Sequence, residues 1–391
     1  MESEKYMNIV LIMPNVFPVP ATKGGAVETL ATNLLLENEK EGKINFTCIS
    51  VYEEEAVKLS KSYKYTNFIY IKEQAENVDL TFKGEDDNFK NYLDEIYAYI
   101  KDMEYDFVIV EGGNVAGYEP LLRKLPKEKC LVHCHGRGRE AHNEVITELY
   151  SKFITISKYQ GKVVLKNELI SESQILLLYN AINLQEFNKK ISDDEKDILR
   201  QKYGIEKNDV VIMFIGRTIP KKGVKELILA FKKIKNINKA KILIVGSTNF
   251  GLEEKTEYDC ELEQISEEIK DKIKFTGYIE NSELYKIQNI ADIAVVPSVW
   301  EEPFGLVVVE NMAAGLPLVV TNMGGIPEIV NSEAAFIVDN DENLISNFAS
   351  KLDILIENPE LRIKMGEAGR KRAELFSSEK YLDDFYNLLK K

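Results

Sequence analysis

Short apolar runs recur along the chain, separated by longer stretches whose apolar residues return every three or four positions. The runs Asn8–Met13, 46–51, 68–71, 107–110, 130–135, 153–156 and 175–178 read as buried strands, and a second series follows at 210–215, 242–245, 273–275, 293–296, 318–320 and 336–338. Between them lie helical patterns. Val27, Leu30, Ala31, Leu34 and Leu35 share one face, and another pattern runs from Asn88 to Met103. Strand–helix alternation predicts an α/β protein with parallel, doubly wound sheets. The polar run Asn188–Asp209 separates the two series, giving an N-terminal domain 1–183, a linker with a lead-in helix 184–205, and a second domain 206–372. Residues 373–391 end in an amphipathic helix with Tyr381, Leu382, Phe385, Leu388 and Leu389 on one face.

The most informative stretch is Pro297–Glu328, PSVWEEPFGLVVVENMAAGLPLVVTNMGGIPE. It predicts a strand ending at Pro297-Ser298, a loop holding Glu301 and Glu302, and a helix from about Phe304 to Ala314. Pro303 suits the first turn, where its missing N–H costs nothing. Gly315 stops the helix, and the strand Leu316–Val320 runs into Gly324-Gly325. Backbone N–H groups of Phe304, Gly305 and Leu306 would face the crevice at the strand ends, where an open α/β sheet takes a phosphate. Glu302 and Glu310, read as one helical run, would lie roughly 12 Å apart along the axis and about 80° apart around it. They would then reach different parts of one ligand, a sugar beside Glu302 and a ribose diol beside Glu310. Glu310 sits in an apolar run, where an unpartnered acid is costly.

Other chemistry collects at predicted strand ends. Arg217 and Lys222, five apart in Gly216-Arg-Thr-Ile-Pro-Lys-Lys-Gly223, are placed to converge on one diphosphate, with Lys221 turned to solvent. Gly24-Gly25 after the first strand is a phosphate cradle in outline, or simply a turn. Glu28 is expected to face solvent or the loop. No G-x-G-x-x-G follows that strand, which argues against a nicotinamide enzyme. In Cys130-Leu-Val-His-Cys-His135, successive residues point to opposite faces, so His133 and Cys134 cannot share a zinc ion. His135, at the strand's carboxyl end, is better placed for function. Arg137 and Arg139 would meet acceptor phosphate or solvent. Ser157 lacks a G-x-S-x-G elbow and is no hydrolase nucleophile. Asp339-Asn-Asp341 spells D-x-D, but between a strand and a helix Asp341 reads as a cap and not as a metal ligand.

The segment Glu302-Pro-Phe-Gly-Leu-Val-Val-Val-Glu310, with Ala314-Gly-Leu-Pro317 and Gly324-Gly-Ile-Pro-Glu328, resembles the E-x7-E signature of family-4 retaining glycosyltransferases with the GT-B fold. Asn311 departs from the family's usual Ala. The G-R…K-G element at 216–223 matches as well, and Asn180-Ala-Ile-Asn183 with Phe187 resembles the family's N-G-V-D…F segment. The resemblance implies two Rossmann-like domains across a cleft, with the terminal helix crossing back to the first. It implies transfer of a hexosyl group, with retention, from a nucleotide diphosphate sugar, most readily a UDP-sugar. The acceptor would be a glycan, lipid-linked or protein-linked hydroxyl, as in polysaccharide biosynthesis. Arg217, Lys222, Glu302 and His135 would be catalytic, with His135 on the transferred sugar. Gly24, Gly25, Phe304, Gly305, Leu306 and Glu310 would bind substrate, and Tyr278 and Ile279 would lie near the base. No metal and no cofactor beyond the donor are expected. The route implied is same-face attack by the acceptor hydroxyl, so no nucleophile is assigned. Rival readings are a nucleotide-sugar epimerase of the same architecture and a catalytically idle binding subunit.

Composition narrows the choice. The 391 residues are 45% hydrophobic and 29% charged, with a net charge of −14. The acidic excess is carried by both halves, which argues against nucleic acid as a partner. The four cysteines form no CxxC pair, so reduced thiols are expected. No signal peptide or apolar run of about 18 residues is present, so the expected place is the cytoplasm, with peripheral contact at the inner membrane face allowed.

Overall fold

The structure, a computed structural model, describes residues 6–72, 87–136, 138–248 and 255–390. The chain divides into two compact units, 1–181 with 378–391, and 182–377. The first holds seven strands: β1 (Met7–Ile12), β2 (Ile44–Val51), β3 (Thr66–Ile71), β4 (Phe107–Glu111), β5 (Cys130–Cys134), β6 (Lys152–Thr155) and β7 (Ile175–Leu177). They pair in parallel in the order β3-β2-β1-β4-β5-β6-β7. The second unit holds β8 (Val210–Ile215), β9 (Ala240–Val245), β10 (Ile273–Gly277), β11 (Ile293–Val296), β12 (Leu318–Thr321) and β13 (Ala335–Val338). These are also parallel, in the order β10-β9-β8-β11-β12-β13. Each predicted strand is found, displaced by at most two residues at either end.

The near-continuous apolar strands follow from burial on both sheet faces. In β1, Val10 and Ile12 enter one core with Val108, Val110, Val132 and Tyr92. Ile9 and Leu11 enter the other with Leu30, Leu34, Leu35 and Ile109. The C-terminal helix Ser378–Leu389 contributes Tyr381, Leu382, Phe385 and Leu389 to that second core, and the ring of Phe385 lies 6.1 Å from that of Phe46. Segments at opposite ends of the chain therefore complete one layer.

The stretch 184–205, expected as linker and lead-in helix, carries the helices Leu184–Phe187 and Asp193–Lys202 and lies in the second unit. There the Arg200 guanidinium donates to the carbonyls of Glu206 and Asp209 at 2.8 and 2.7 Å. The four cysteines form no disulfide among the described residues. Among those residues, no helix is long and apolar enough to cross a membrane.

Phe385 is fully buried, whereas Leu388 is only partly so. Phe385→Ala is expected to cost about 3–5 kcal/mol in denaturant unfolding followed through the first unit, and Leu388→Ala distinctly less. Equal losses would show that the terminal helix is held by its whole surface and not by its inner face.

Candidate functional site

Parallel strands send all their carboxyl ends to one edge of a sheet, and the strand order reverses between β8 and β11 in the second unit. The loops after these two strands are bound together. Val299 N donates to Lys221 O at 3.0 Å. Gly223 has φ +73°, and a β-carbon there would stand 1.8 Å from Pro297 O. Gly324, at φ +59°, lies under Glu302, where a β-carbon would come within 2.1 Å of Glu302 O. Gly325 N donates to that same carbonyl at 2.7 Å. Only glycine permits either approach.

This packing fixes Glu302. Its Oε1 accepts from Lys222 Nζ at 2.5 Å, Ser298 Oγ at 2.8 Å and Trp300 Nε1 at 2.8 Å. Its Oε2 makes no hydrogen bond among the described residues. The Glu302 side chain is 8% exposed and that of Lys222 22%, so the pair is anchored inside while its outer atoms face the strand-end edge. Lys221 is exposed as expected, but its ammonium also lies 5.6 Å from the centre of the Trp300 ring, beside that of Lys222 at 5.5 Å. Arg217, exposed on the same turn, lies just beyond β8.

The helix begins later than its sequence predicts. It spans Leu306–Ala314, with Gly305 at φ +115° as N-cap, a backbone conformation outside the helical range. Pro303 and Phe304 therefore precede the helix. The Phe304 ring is buried, edge-on to Phe376 at 5.8 Å. No helical run joins Glu302 to Glu310. Four helical steps separate Leu306 from Glu310, roughly 6 Å of rise, which replaces the eight-residue spacing. The Glu310 carboxylate makes no hydrogen bond or ion pair among the described residues. Burial, with like charge from Glu186 added, pushes its carboxyl up to about 7. Asn311 is buried, accepting from Gln288 Nε2 at 3.2 Å.

Around the same edge, Gly246 N donates to Gly277 O at 3.0 Å, bringing the loops after β9 and β10 together. Tyr278 is 40% exposed, and its hydroxyl donates to Glu280 Oε2 at 3.2 Å; Ile279 is half-buried. Asp341 is not the helix cap that its position suggests. It accepts from Asn343 N at 2.8 Å, and Asn343 precedes the helix Leu344–Glu357. Asp339 accepts from Asn322 Nδ2 at 2.8 Å.

In the first unit the order reverses between β1 and β4. Gly24 and Gly25, at φ +81° and +91°, follow β1, and Gly25 caps the helix Ala26–Glu41. Glu28 is buried, contrary to its expected exposure, because the first helical turn folds its carboxylate under Gly25, where a β-carbon would stand 2.1 Å from Oε2. Burial raises the Glu28 carboxyl, and its backbone hydrogen bond and His135 partly oppose that rise.

Glu111 ends β4 in register with His133 of β5, and His135 stands two residues further along the same face. Glu111 Oε2 lies 2.9 Å from His133 Nδ1 and 2.7 Å from His135 Nε2. Three such residues are metal-ligating types gathered in one place. However, both contacts are direct hydrogen bonds to one oxygen, whereas nitrogen and oxygen ligands about 2.0–2.2 Å from an ion stand further apart. Cys134 faces the opposite core. Ser157 caps the helix Lys158–Val164, accepting from Gln160 N at 3.0 Å. Arg137 and the Arg139 side chain lie outside the described residues.

Sequence reasoning passed over Glu111, Ser298 and Trp300, and considered His133 only as a zinc partner of Cys134. An acid closing an apolar strand, Phe-Val-Ile-Val-Glu111, and the same-face spacing of His133 and His135 were the available signals. Nothing local marks Trp300 as a partner of Glu302.

Residues 195–372 match the family model of glycosyl transferases group 1. The chain is 24% identical over 382 residues to spore coat protein SA of Bacillus subtilis, covering 94% of this chain and 95% of that protein. It is 32% identical over 252 residues to the capsular polysaccharide biosynthesis glycosyltransferase CapM of Staphylococcus aureus, 60% of each. The crystal structure of Anabaena Alr3699/HepE in complex with UDP and glucose superposes with a TM-score of 0.74 at 17% identity, over 98% of this chain and 100% of that one. That likeness shows the fold, GT-B.

The raised Glu310 carboxyl has a consequence for stability. Its folded value exceeds the unfolded one, so between pH 4.5 and about 7 the folded state binds the extra proton. Stability from this group is therefore full below 4.5 and falls as pH rises to about 7. Glu310→Gln is expected to be more stable than wild type above pH 7, with the difference vanishing near pH 4.5. A difference independent of pH in chemical denaturation would mean that Glu310 is well solvated.

Proposed function

We propose, from the premise that the chain is a glycosyltransferase of group 1 with the GT-B fold, that it moves a hexosyl group with retention from a UDP-sugar to a glycan, lipid-linked or protein-linked hydroxyl. The observation that carries this reading is the Lys222–Glu302 pair at the switch point of the second sheet. Glu302 is held through Oε1, which leaves Oε2 to accept from a sugar hydroxyl. Arg217 and Lys222, with N–H groups at the start of the helix Leu306–Ala314, would meet the diphosphate, whose charge grows as the bond to the sugar breaks. Glu310 would accept from the ribose diol, the partner that its unbonded carboxylate lacks. Tyr278 and Ile279 would border the base. In the first unit, Gly24, Gly25 and His135 are assigned to the transferred sugar, and that unit to acceptor choice.

The UDP and glucose bound to the Anabaena protein, and the capsular polysaccharide role named for CapM, support a nucleotide-sugar donor and a glycan product. An idle binding subunit is disfavoured by the built Glu302 site, since an anchored carboxylate with one acceptor atom spare is suited to hold substrate.

A screen of nucleotide sugars for donor hydrolysis and transfer, with the anomeric configuration of the product read by NMR, tests the reading. UDP-sugar consumption and a retained anomer are expected. Inversion, or conversion of the donor without any acceptor, would refute it. Lys222→Ala should lower turnover about 10²-fold or more. Lys221→Ala, which leaves Glu302 paired, should stay within a few-fold of wild type. Comparable losses in the two would put the leaving-group contact on the wrong lysine.

A further inference from the structure

The one tryptophan of the chain stands beside the Lys222–Glu302 pair. The loop that carries it is pinned on both sides. Thr321 Oγ1, at the end of β12, donates to Ser298 O at 2.6 Å, and Val299 N donates to Lys221 O at 3.0 Å. Beyond it, Gly325 N donates to Glu302 O at 2.7 Å. The backbone of Trp300 therefore lies between anchored residues, and its side chain is half-buried.

The indole touches both members of the pair. Its edge donates Nε1–H to Glu302 Oε1 at 2.8 Å. Its ring centre lies 5.5 Å from the Lys222 ammonium and 5.6 Å from that of Lys221. An aromatic face attracts a cation at such a distance. Three donors converge on Glu302 Oε1, and they differ in what they can fix. The Ser298 hydroxyl turns about its own bond, and Lys222 offers three rotatable hydrogens on a flexible stem. The indole N–H lies in the plane of a rigid ring and has one direction. Of the three, Trp300 alone fixes the line along which the carboxylate is held.

We propose that Trp300 is the positioning residue for the contact with the donor sugar. Its N–H sets the orientation of the Glu302 carboxylate, and its ring keeps the Lys222 ammonium beside that carboxylate. Glu302 makes three hydrogen bonds through Oε1 and none through Oε2 among the described residues. Held in this way it presents one acceptor atom, which suits a single sugar hydroxyl. The identity of that ligand rests on the proposed function above, whereas the hold of Trp300 on Glu302 stands on the geometry alone.

A single tryptophan gives a single indole N–H signal in proton–nitrogen NMR of the whole protein. In wild type this N–H is expected to exchange with solvent distinctly more slowly than that of free tryptophan. In Glu302→Gln, where a neutral acceptor replaces a charged one, the signal should move upfield and exchange faster. Exchange at the rate of free tryptophan overturns the proposal without the use of any variant, and so does a signal that Glu302→Gln leaves in place.

With a donor identified, Trp300→Phe keeps a ring and removes the N–H. It should lower kcat by about 10–100-fold, the worth of one hydrogen bond to a charged group, with UDP affinity in calorimetry nearly unchanged. Trp300→Leu removes the ring as well and should also weaken UDP binding, through Lys222; unchanged affinity there would overturn the ring's hold on that ammonium. A double-mutant cycle separates positioning from general damage. Because Trp300 acts through Glu302, Trp300→Phe should cost far less in a Glu302→Gln background than in wild type. Additive losses would overturn the proposal and leave the proposed function standing. If no donor is turned over, the proposed function fails, while the indole signal still decides whether Trp300 holds Glu302.

Discussion

Parallel pairing is the constraint on which the rest depends. Within each sheet every strand runs the same way, so the strands of that sheet end at one of its edges, and residues tens of positions apart meet there. Lys222 and Glu302 are 80 residues apart and hydrogen-bonded. Glu111 and His133 are 22 apart and face each other across adjacent strands. Such contacts need no long reach by any side chain, because the backbone register has already brought the residues together.

The charges gathered at those edges are partly withdrawn from water, and each edge handles the cost through a carboxylate. In the second unit Glu302 is satisfied by an ammonium, a hydroxyl and an indole N–H on one oxygen. In the first, Glu111 is satisfied by two imidazoles on one oxygen. Breaking either set would leave a buried charge uncompensated, which is more expensive than the pair is stabilising. That asymmetry makes both clusters rigid, and a rigid cluster can aim its outer atoms. Glu310 and Glu28 are the opposite case. Burial raises both carboxyls, and the Glu310 carboxylate makes no hydrogen bond or ion pair among the described residues. A binding partner from outside the chain would offset that cost for Glu310.

Close backbone approach is the second requirement of this arrangement. At Gly223 and Gly324 a side chain would overlap a carbonyl of the neighbouring loop, so the anchoring of Glu302 depends on residues that touch no ligand themselves. Likewise the helix Leu306–Ala314 starts where it does because Gly305 adopts a positive φ, which directs the first turn away from Phe304 and lets that ring pack on Phe376.

The amino-acid sequence by itself determined the strands, the inward faces of the helices Ala26–Glu41 and Ser378–Leu389, and the strand-end positions of Arg217, Lys222, Glu302 and His135, because periodicity and turn residues are local properties. The E-x7-E spacing also carried the resemblance to glycosyltransferases. Tertiary structure alone decided the partners. The spacing of Glu302 and Glu310 depended on where one glycine let the helix begin. The exposure of Glu28 depended on how the first turn lay under Gly25. The union of Glu111 with His133 and His135, and of Glu302 with Trp300 and Lys222, depended on strand order and loop packing. A charge's partner is a neighbour in space, and the pattern of apolar and polar positions along a chain carries no record of which strands will lie side by side.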